Sequence, residues 1–241
     1  MELKVLPIEE VNKCVAQEFI DLINSKKNPV IGLATGSTPL GVYKNLVNAY
    51  KNKEVSFAHV ESFNLDEYVG LNEDHNQSYR YFMNNNLFNH VDIDINKTSI
   101  PSDDVISENH YSKYDDKIKE HGGIDIQLLG IGSNGHIAFN EPGTSFDSLT
   151  HIVTLKESTI KDNSRFFSSI DEVPTSAISM GLKSIMNARR IILMAFGKNK
   201  AQAIHDLFYK DPSVNLPASI LSTHDNVIIY CDEEAAALLS K

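Results

Sequence analysis

The sequence predicts an α/β fold in which a parallel sheet is covered by helices on both faces. Short apolar runs alternate with segments of helical periodicity along the chain, which is the pattern of successive strand and helix units. The apolar runs are continuous, as expected of strands that are buried on both faces. The 241 residues, of which 41% are apolar, suffice to bury a sizeable core, and a single domain is the simplest interpretation.

Each predicted element follows from its local pattern. A helix is expected from Ile8 to Ile23, where apolar residues recur at helical spacing, and a strand is expected in the β-branched run at 30–34. By the same reasoning we expect helices at 39–50, 77–88, 107–120, 175–187 and 199–209, and strands at 60–65, 124–129, 190–196 and 227–231. The long segment 142–174 is predicted to be irregular and is a candidate active-site lid, since long connections are commonly lids or binding loops.

Composition and charge exclude several classes of protein. The formal net charge is -10 and no dense run of Lys and Arg is present, which argues against a nucleic-acid surface. Cys14 and Cys231 lie far apart and form no C-x-x-C motif, and the nine histidines lack metal-ligand spacing. The longest strongly apolar run, 191–196, is too short to cross a membrane. We therefore expect a cytoplasmic protein without a metal, a disulfide framework or a membrane partner.

The first polar segment that could take part in binding or catalysis is A-T-G-S-T-P, residues 34–39. It follows a predicted strand and begins a predicted helix. Backbone N–H groups, the hydroxyls of Ser37 and Thr38 and the positive end of the helix dipole converge after Gly36, which suits an anion. The alternative is an ordinary turn in which Ser37 or Thr38 caps the helix.

The second segment is F-N-L-D-E-Y, residues 63–68, where two adjacent carboxylates follow a predicted strand. Adjacent side chains on an extended chain point in opposite directions, so Asp66 and Glu67 are expected to have different roles. The one that faces the cleft is a candidate general base, and burial would strengthen it. The alternative is that both carboxylates lie in solvent.

The third segment is G-I-G-S-N-G-H-I-A-F-N-E-P-G, residues 130–143. It has the G-x-G-x-x-G spacing of a dinucleotide-binding loop, but Pro142 and Gly143 interrupt the chain before a helix could follow, so we do not expect such a site. His136 can accept and return a proton near neutral pH, and Glu141 can orient its ring. The alternatives are a structural histidine or a dinucleotide oxidoreductase.

Two cationic segments complete the candidates. Arg165 lies in N-S-R-F-F, and Lys198 and Lys200 lie in G-K-N-K-A at a predicted junction of strand and helix. Such side chains can bind phosphate, although most isolated cations are merely solvated.

Together these five segments, in this order and spacing, resemble the glucosamine-6-phosphate deaminase family, also called the glucosamine/galactosamine-6-phosphate isomerase family. The resemblance spans nearly the whole chain and implies a single domain, residues 1–241, with a Rossmann-like three-layer αβα sandwich and a mostly parallel central sheet. It implies conversion of D-glucosamine 6-phosphate and water to D-fructose 6-phosphate and ammonium, in the catabolism of N-acetylglucosamine. No cofactor and no metal are implied.

The resemblance also implies a role for each matching residue. Asp66 matches the base that moves a proton from C2 towards C1, and His136 matches the residue that opens the pyranose ring. Asn134 and Glu141 match positions that assist His136, and Glu67 is a possible supporting carboxylate. The positions that match the binding site for the substrate phosphate are Gly36, Ser37, Thr38, Arg165 and Lys200.

Two departures from the family pattern bear on regulation and on the basicity of His136. Some members have aspartate at the position where this chain has Asn134. The uncharged amide leaves Glu141 as the only local carboxylate that can tune His136, unless Glu67 reaches the ring. Larger allosteric members use a C-terminal extension and cationic side chains where this chain has His151 and Val153, so we expect a non-allosteric enzyme that is a monomer or small homo-oligomer.

Two further alternatives stay open at this point. A 6-phosphogluconolactonase would share the phosphate loop but would not need a carboxylate at the position of Asp66. A non-catalytic phosphosugar sensor is disfavoured because no basic segment precedes the phosphate loop.

Overall fold

Seven parallel strands form the central sheet of the protein in a computed structural model, which describes residues 1–102, 112–155, 164 and 169–239. The order across the sheet is β1-β10-β9-β6-β2-β3-β5. These strands are β1 (Glu2–Val5), β2 (Val30–Leu33), β3 (Glu61–Asn64), β5 (Thr98–Ser99), β6 (Ile126–Gly130), β9 (Arg190–Ala195) and β10 (Val227–Cys231).

Helices cover both faces of this sheet and confirm the predicted αβα sandwich. They are α1 (Ile8–Ser25), α2 (Leu40–Lys51), α3 (Tyr79–Asn86), α4 (Ser112–Glu120), α5 (Leu182–Met186) and α6 (Ala201–Tyr209). Successive strand residues point to opposite faces, so Leu128 packs in the core with α1, α2 and α3, whereas Leu129 packs in the core with α4, α5 and α6. The continuous apolar strands of the sequence are explained by these two separate cores.

The order of the strands places the polar segments at one edge of the sheet. All pairs in the sheet are parallel, so β2, β3, β6 and β9 end at the same edge. The chain leaves β2 towards β3 on one side, and β6 leads to β9 on the other side. Ligands of open α/β sheets bind at this kind of switch point, which lies here between the ends of β2 and β6.

A second, three-stranded antiparallel sheet stands at this edge and was not predicted. It consists of β4 (Asp66–Tyr68), β7 (His151–Thr154) and β8 (Ser176–Ser179), in the order β4-β8-β7. Because β4 follows β3 after a single residue, Leu65, the pairing of Asp66 with Ser179 fixes the backbone of Asp66 at the end of the parallel sheet.

Two predictions about secondary structure are wrong. The predicted helix at 175–187 is the strand β8 followed by the short helix α5, because Ala177 and Ile178 pair with both β4 and β7. Gly181 separates the two elements, and a Cβ atom there would lie 2.2 Å from the Ser148 carbonyl oxygen. The segment 142–174 is not wholly irregular, since it contains β7. The predicted lid also includes residues 156–163 and 165–168, which lie outside the described residues.

Candidate active site

A cavity of about 280 Å³ lies at the carboxyl edge of the parallel sheet. Four parts of the chain form its wall: the loop after β2, the junction of β3 and β4, the loop after β6, and the first residue of α3. The lining residues include Thr35, Gly36, Thr38, Asp66, Tyr79, Gly132, His136, Phe139 and Glu141. The structure therefore brings the predicted anion loop, one of the paired carboxylates and the predicted histidine to one cavity.

The loop after β2 presents its backbone to this cavity. Gly36 has φ +92, a left-handed conformation that favours glycine, and α2 begins directly behind the loop at Leu40. Pro39 occupies the N-cap position and no side chain caps the helix, so the interpretation of Ser37 or Thr38 as a helix cap is wrong. The N–H groups of the first turn of a helix have no partner within the helix, and they favour an anion.

A buried tyrosine holds the beginning of this loop. The Tyr43 hydroxyl donates to the Ala34 carbonyl oxygen at 2.5 Å and accepts from the Ala34 N–H at 3.2 Å. Since Tyr43 is on α2, these bonds connect the end of β2 to the helix that follows it. Thr35, Gly36 and Thr38 line the cavity, whereas Ser37 is exposed and is absent from the wall.

Asp66 is a buried carboxyl group in the wall of the cavity. Its side chain is 7% exposed, and burial, with a further contribution from the charge of Glu67, raises its pKa to about 8. A carboxyl group with a pKa near the working pH can both accept and return a proton.

Glu67 points away from Asp66, as the alternation of an extended strand predicts. Its carboxylate accepts hydrogen bonds from the backbone N–H groups of Tyr68 at 2.8 Å, Tyr79 at 2.9 Å and Arg80 at 2.9 Å. Glu67 lines a neighbouring cavity and not the cavity that contains His136. Its carboxylate is therefore engaged at the N-terminus of α3.

His136 lies in a chain of three polar side chains. Its Nδ1 atom is 2.7 Å from Asn134 Oδ1, and Asn134 Nδ2 donates to Glu141 Oε2 at 2.8 Å. Glu141 Oε1 is also 3.4 Å from Nδ1. Because an amide oxygen can only accept, the neutral ring carries its proton on Nδ1, which leaves Nε2 as the basic nitrogen.

The glycines after β6 make room for this arrangement. A Cβ atom on Gly132 would lie 2.2 Å from Cε1 of the His136 ring, and Gly135 has φ +81. The chain then forms turns and a bridge between Ile137 and Asn140, and no helix occurs within 131–150. The G-x-G-x-x-G spacing thus accommodates a histidine ring, and the dinucleotide-binding interpretation is wrong.

Two aromatic residues in the cavity wall were missed by the sequence reasoning. Tyr79 and Phe139 line the cavity, and their rings are stacked, 6.2 Å apart with an angle of 5°. Burial and the nearby Asp66 carboxylate raise the pKa of Tyr79 well above its ordinary value. The position of Tyr79 in the first turn of α3, the next helix after the D-E-Y segment, was the available signal.

Of the two cations predicted to bind the phosphate, Lys200 and Arg165, the structure describes only Lys200. Lys200 ends the 3-10 turn Lys198–Lys200, which follows β9 at the edge that holds the cavity, and burial lowers its pKa. Lys200 is not among the lining residues of the cavity. Arg165 lies outside the described residues.

The described part of the chain contains neither a candidate metal site nor a candidate membrane span. No group of three or more His, Cys, Asp or Glu side chains suited to a metal ion occurs there. Within the same ranges, no helix combines the length and the apolar character that crossing a membrane requires.

Comparison with known proteins agrees with this geometry. A sequence model of the family described as glucosamine-6-phosphate isomerases/6-phosphogluconolactonase matches residues 6–230. The chain belongs to this family. It is 53% identical to the glucosamine-6-phosphate deaminase of Clostridium novyi (strain NT), over 98% of this chain and 100% of that protein. It is 50% identical to the glucosamine-6-phosphate deaminase of Thermoanaerobacter sp. (strain X514), over 96% of this chain and 92% of that protein.

Solved structures of the family extend this result to three dimensions. A monomeric glucosamine-6-phosphate deaminase superposes with a TM-score of 0.92 at 42% identity, over 99% of this chain and 100% of that protein. The 6-phosphogluconolactonase of Trypanosoma cruzi superposes with a TM-score of 0.77 at 18% identity, over 100% of this chain and 97% of that protein. At 18% identity the second structure shows only that the fold is shared.

Proposed function

We propose that this chain converts D-glucosamine 6-phosphate and water to D-fructose 6-phosphate and ammonium, by isomerisation and deamination in amino-sugar catabolism. The observation that carries the proposal is one cavity in which a buried carboxyl group, Asp66, and an oriented histidine, His136, lie beside an anion-binding loop. Relatives that are 50% to 53% identical over nearly the whole chain are glucosamine-6-phosphate deaminases. Neither a metal nor a redox cofactor is needed for this chemistry.

The phosphate of the substrate would bind at the loop after β2. Gly36 and Thr38 line the cavity at the N-terminus of α2, where the helix dipole favours negative charge. Lys200 follows β9 at the same edge of the sheet and would supply a positive charge. Arg165 and Ser37 are assigned to the phosphate by the family motif alone.

Ring opening is assigned to His136. Nε2 takes the proton of the anomeric hydroxyl and returns a proton to the ring oxygen, which breaks the C1–O5 bond and leaves an open-chain aldehyde. Asn134 holds Nδ1–H at 2.7 Å and keeps Nε2 available. Glu141, 3.4 Å from Nδ1, stabilises the ring while it is positively charged.

Isomerisation is assigned to Asp66. The ionised carboxylate takes the proton from C2, which the ammonium group on C2 makes more acidic. The aldehyde oxygen on C1 takes one proton from the ammonium group, and an enolamine with a double bond between C1 and C2 forms. The protonated carboxyl group then returns the proton to C1, and the resulting iminium at C2 is hydrolysed to the ketone and ammonium. A positioned base of this kind contributes on the order of 10²- to 10⁴-fold to the rate.

The cavity also explains why a carboxyl group with a pKa of about 8 can act as this base. The ammonium group of the substrate places a positive charge close to Asp66, and an opposite charge favours the ionised form. Substrate binding would therefore ionise Asp66 at the moment when a base is required.

The proposal is tested by ammonia release coupled to detection of fructose 6-phosphate. The native chain should form both products in equal amounts from glucosamine 6-phosphate, and Asp66→Asn should lose nearly all turnover. Asp74→Asn, the same change at an exposed aspartate eight residues along the chain, is the matched control and should retain it. If the native chain releases no ammonia, the function is wrong, and hydrolysis of 6-phosphogluconolactone is the next assay. If Asp66→Asn stays active, the base is another residue.

We further propose that residues 1–241 act as one cytoplasmic catalytic domain without an allosteric response, as a monomer or small homo-oligomer. A related deaminase that is 42% identical is monomeric, which supports the lower end of this range. Light scattering would measure the mass of the particle. A sigmoidal rate curve that N-acetylglucosamine 6-phosphate makes hyperbolic would contradict the absence of allostery.

A further inference from the structure

Glu67 is a buried carboxylate with an unusual set of partners. It is 8% exposed, and it accepts hydrogen bonds from three backbone N–H groups, one in β4 and two at the start of α3. Three such bonds at one carboxylate favour its ionised form, and so does the positive end of the helix dipole. Burial raises the pKa of Glu67, while these hydrogen bonds and the charge of Arg80 oppose the rise.

The same bonds determine where Tyr79 lies. Tyr79 is the first residue of α3, and its N–H is held by Glu67, so the helix cannot move away from β4 without breaking that bond. The Tyr79 ring lines the cavity of Asp66, with its centroid 5.0 Å from that of Tyr68. Glu67 thus holds one wall of the cavity in place from the opposite side of the strand.

Glu67 also acts on Asp66 through its charge. The two residues are neighbours on β4, and a nearby like charge disfavours a second ionised carboxylate. The Asp66 carboxyl group accepts no hydrogen bond from the part of the chain that the structure describes, whereas the Glu67 carboxylate accepts three, so the negative charge on Glu67 is the better stabilised of the two and raises the pKa of Asp66. The result is a more basic Asp66.

Other titratable groups lie near Asp66. Among the described residues, none of them is a carboxylate next to Asp66 on the same strand, as Glu67 is. Tyr79 approaches from α3 and Tyr114 from α4, while His136 and Glu141 line the same cavity from the loop after β6. Arg80, the next residue of α3, acts on Glu67 and lines the neighbouring cavity. The tyrosines are neutral at working pH because burial raises their pKa values. Glu67 is the carboxylate directly adjacent to Asp66 along the chain.

We propose that Glu67 is a positioning residue for the reaction, which anchors α3 beside Asp66 and whose negative charge makes Asp66 a stronger base. This inference rests on the proposed function, in which Asp66 removes the proton from C2. Glu67 touches neither the cavity nor the substrate site, and it acts through Asp66 and Tyr79.

The experiment is the dependence of kcat/KM on pH for the native chain, for Glu67→Gln and for a matched control, Glu73→Gln. Glu73 is an exposed glutamate on the segment that leads to α3. Glutamine removes the charge and keeps one acceptor oxygen, which can serve the N–H groups of Tyr68 and Tyr79, while its NH2 group replaces the oxygen that accepts from the Arg80 N–H. We expect the acid limb of Glu67→Gln to move to lower pH by about one unit, and the rate above that limb to fall several-fold because the base is weaker. The ionisation of the substrate is common to all three proteins and cancels. An unchanged limb would overturn the proposal.

A second measurement separates this inference from the proposed function. Carbon-13 spectra of the side-chain carboxyl groups, assigned by loss of the Asp66 signal in Asp66→Asn, follow both titrations without turnover. We expect Glu67 to ionise at lower pH than Asp66 in the native chain, and Asp66 to ionise at lower pH in Glu67→Gln. If Glu67→Gln does not fold, the order of ionisation in the native chain decides, because a neutral Glu67 beside an ionised Asp66 contradicts the proposal. Activity that survives in Asp66→Asn would refute the assigned base and leave these titrations unaffected.

Discussion

Asp66 and Asp125 are equally buried, at 7% exposure each, but they lie at opposite edges of the parallel sheet and have opposite surroundings. Asp125 precedes β6 at the amino edge, where it accepts from Lys26 Nζ at 2.7 Å, from Arg189 Nη1 at 3.0 Å and from the Val30 N–H at 2.8 Å. Asp66 has a like charge as its neighbour and no such donor among the described residues.

The difference shows that burial alone does not identify a reactive carboxylate. A buried charge that is paired and hydrogen-bonded stabilises the fold, whereas a buried carboxyl group without partners costs stability and becomes a stronger base. The amino edge of the sheet is built for stability by this criterion, and the carboxyl edge is built for chemistry. Substitutions at the two edges should therefore affect different measurements.

The largest expected effect is that of Asp125→Asn on stability. Asp125→Asn removes the charge that Lys26 and Arg189 bind, and because those side chains are 41% and 56% exposed, water can solvate them afterwards. We expect the free energy of unfolding to fall by about 2 kcal/mol, the size of a hydrogen bond to a charged group. Turnover per folded molecule should be retained. Urea unfolding measures the change, and Asp116→Asn, an exposed position on α4, is the control. A loss of kcat without a loss of stability would break the comparison.

The second effect is the pH dependence of stability that Asp66 causes. In the folded protein the Asp66 carboxyl group keeps its proton up to a pH of about 8, whereas in the unfolded chain it loses the proton near pH 4. The stability from this group is present in full below pH 4 and is lost as the pH rises to about 8. Asp66→Asn removes the loss, so its stability relative to the native chain should increase from pH 5 to pH 9. Parallel unfolding curves at all pH values would contradict the raised pKa.

The third effect is that of Gly132→Ala on turnover. The added methyl group would occupy the space of the His136 ring, which must turn away from Asn134 and lose its orientation. We expect kcat/KM to fall by about 100-fold, because a misplaced catalytic group costs this much, while stability changes little. The control is Ser133→Ala, whose side chain is exposed. Native activity in Gly132→Ala would show that the ring position is unimportant.

The fourth effect concerns phosphate binding by Lys200. Lys200→Met should raise KM for glucosamine 6-phosphate by about 10-fold or more, since a charge-assisted hydrogen bond is lost, with a smaller change in kcat. Lys198→Met is the control, because Lys198 lies in the same turn and is exposed. Equal effects of the two changes would remove Lys200 from the phosphate site.

The smallest effect is expected for Asn134→Asp. A carboxylate in place of the amide, 2.7 Å from His136 Nδ1, favours the charged ring and repels Glu141. The limb of the pH profile that reports His136 should move to higher pH by about one unit. An unchanged profile would show that Asn134 does not control the basicity of the ring.

Much of the fold was predictable because its strands are buried on both faces. Continuous apolar runs identified β2, β6, β9 and β10, and the segment 60–65 was predicted as the strand that became β3. The opposite directions of Asp66 and Glu67 followed from the geometry of a strand. The strand β1 was missed since its residues E-L-K-V alternate at the edge of the sheet, and β5 has two residues and no apolar signal.

The parts that were not predictable depend on contacts between distant segments. The strand β8 was mistaken for helix because its pairing with β4 and β7 cannot be seen locally. The place of Tyr79 in the cavity wall depends on its bond to Glu67, twelve residues away along the chain. The contact between Asn134 and His136 is local, and the resemblance to the family implied that Asn134 assists His136.

The pairing of β1 with β10 has a consequence for synthesis of the protein. Glu2 to Val5 leave the ribosome before the other strands of the sheet, yet they pair with Ile228 to Cys231, the strand of this sheet that is translated last. The strands β2, β3 and β6, which carry the cavity, are all translated before that partner exists. Chains fold from the N-terminus as they emerge. A nascent chain can therefore assemble the catalytic edge first, while β1 stays unpaired until β10 has been translated.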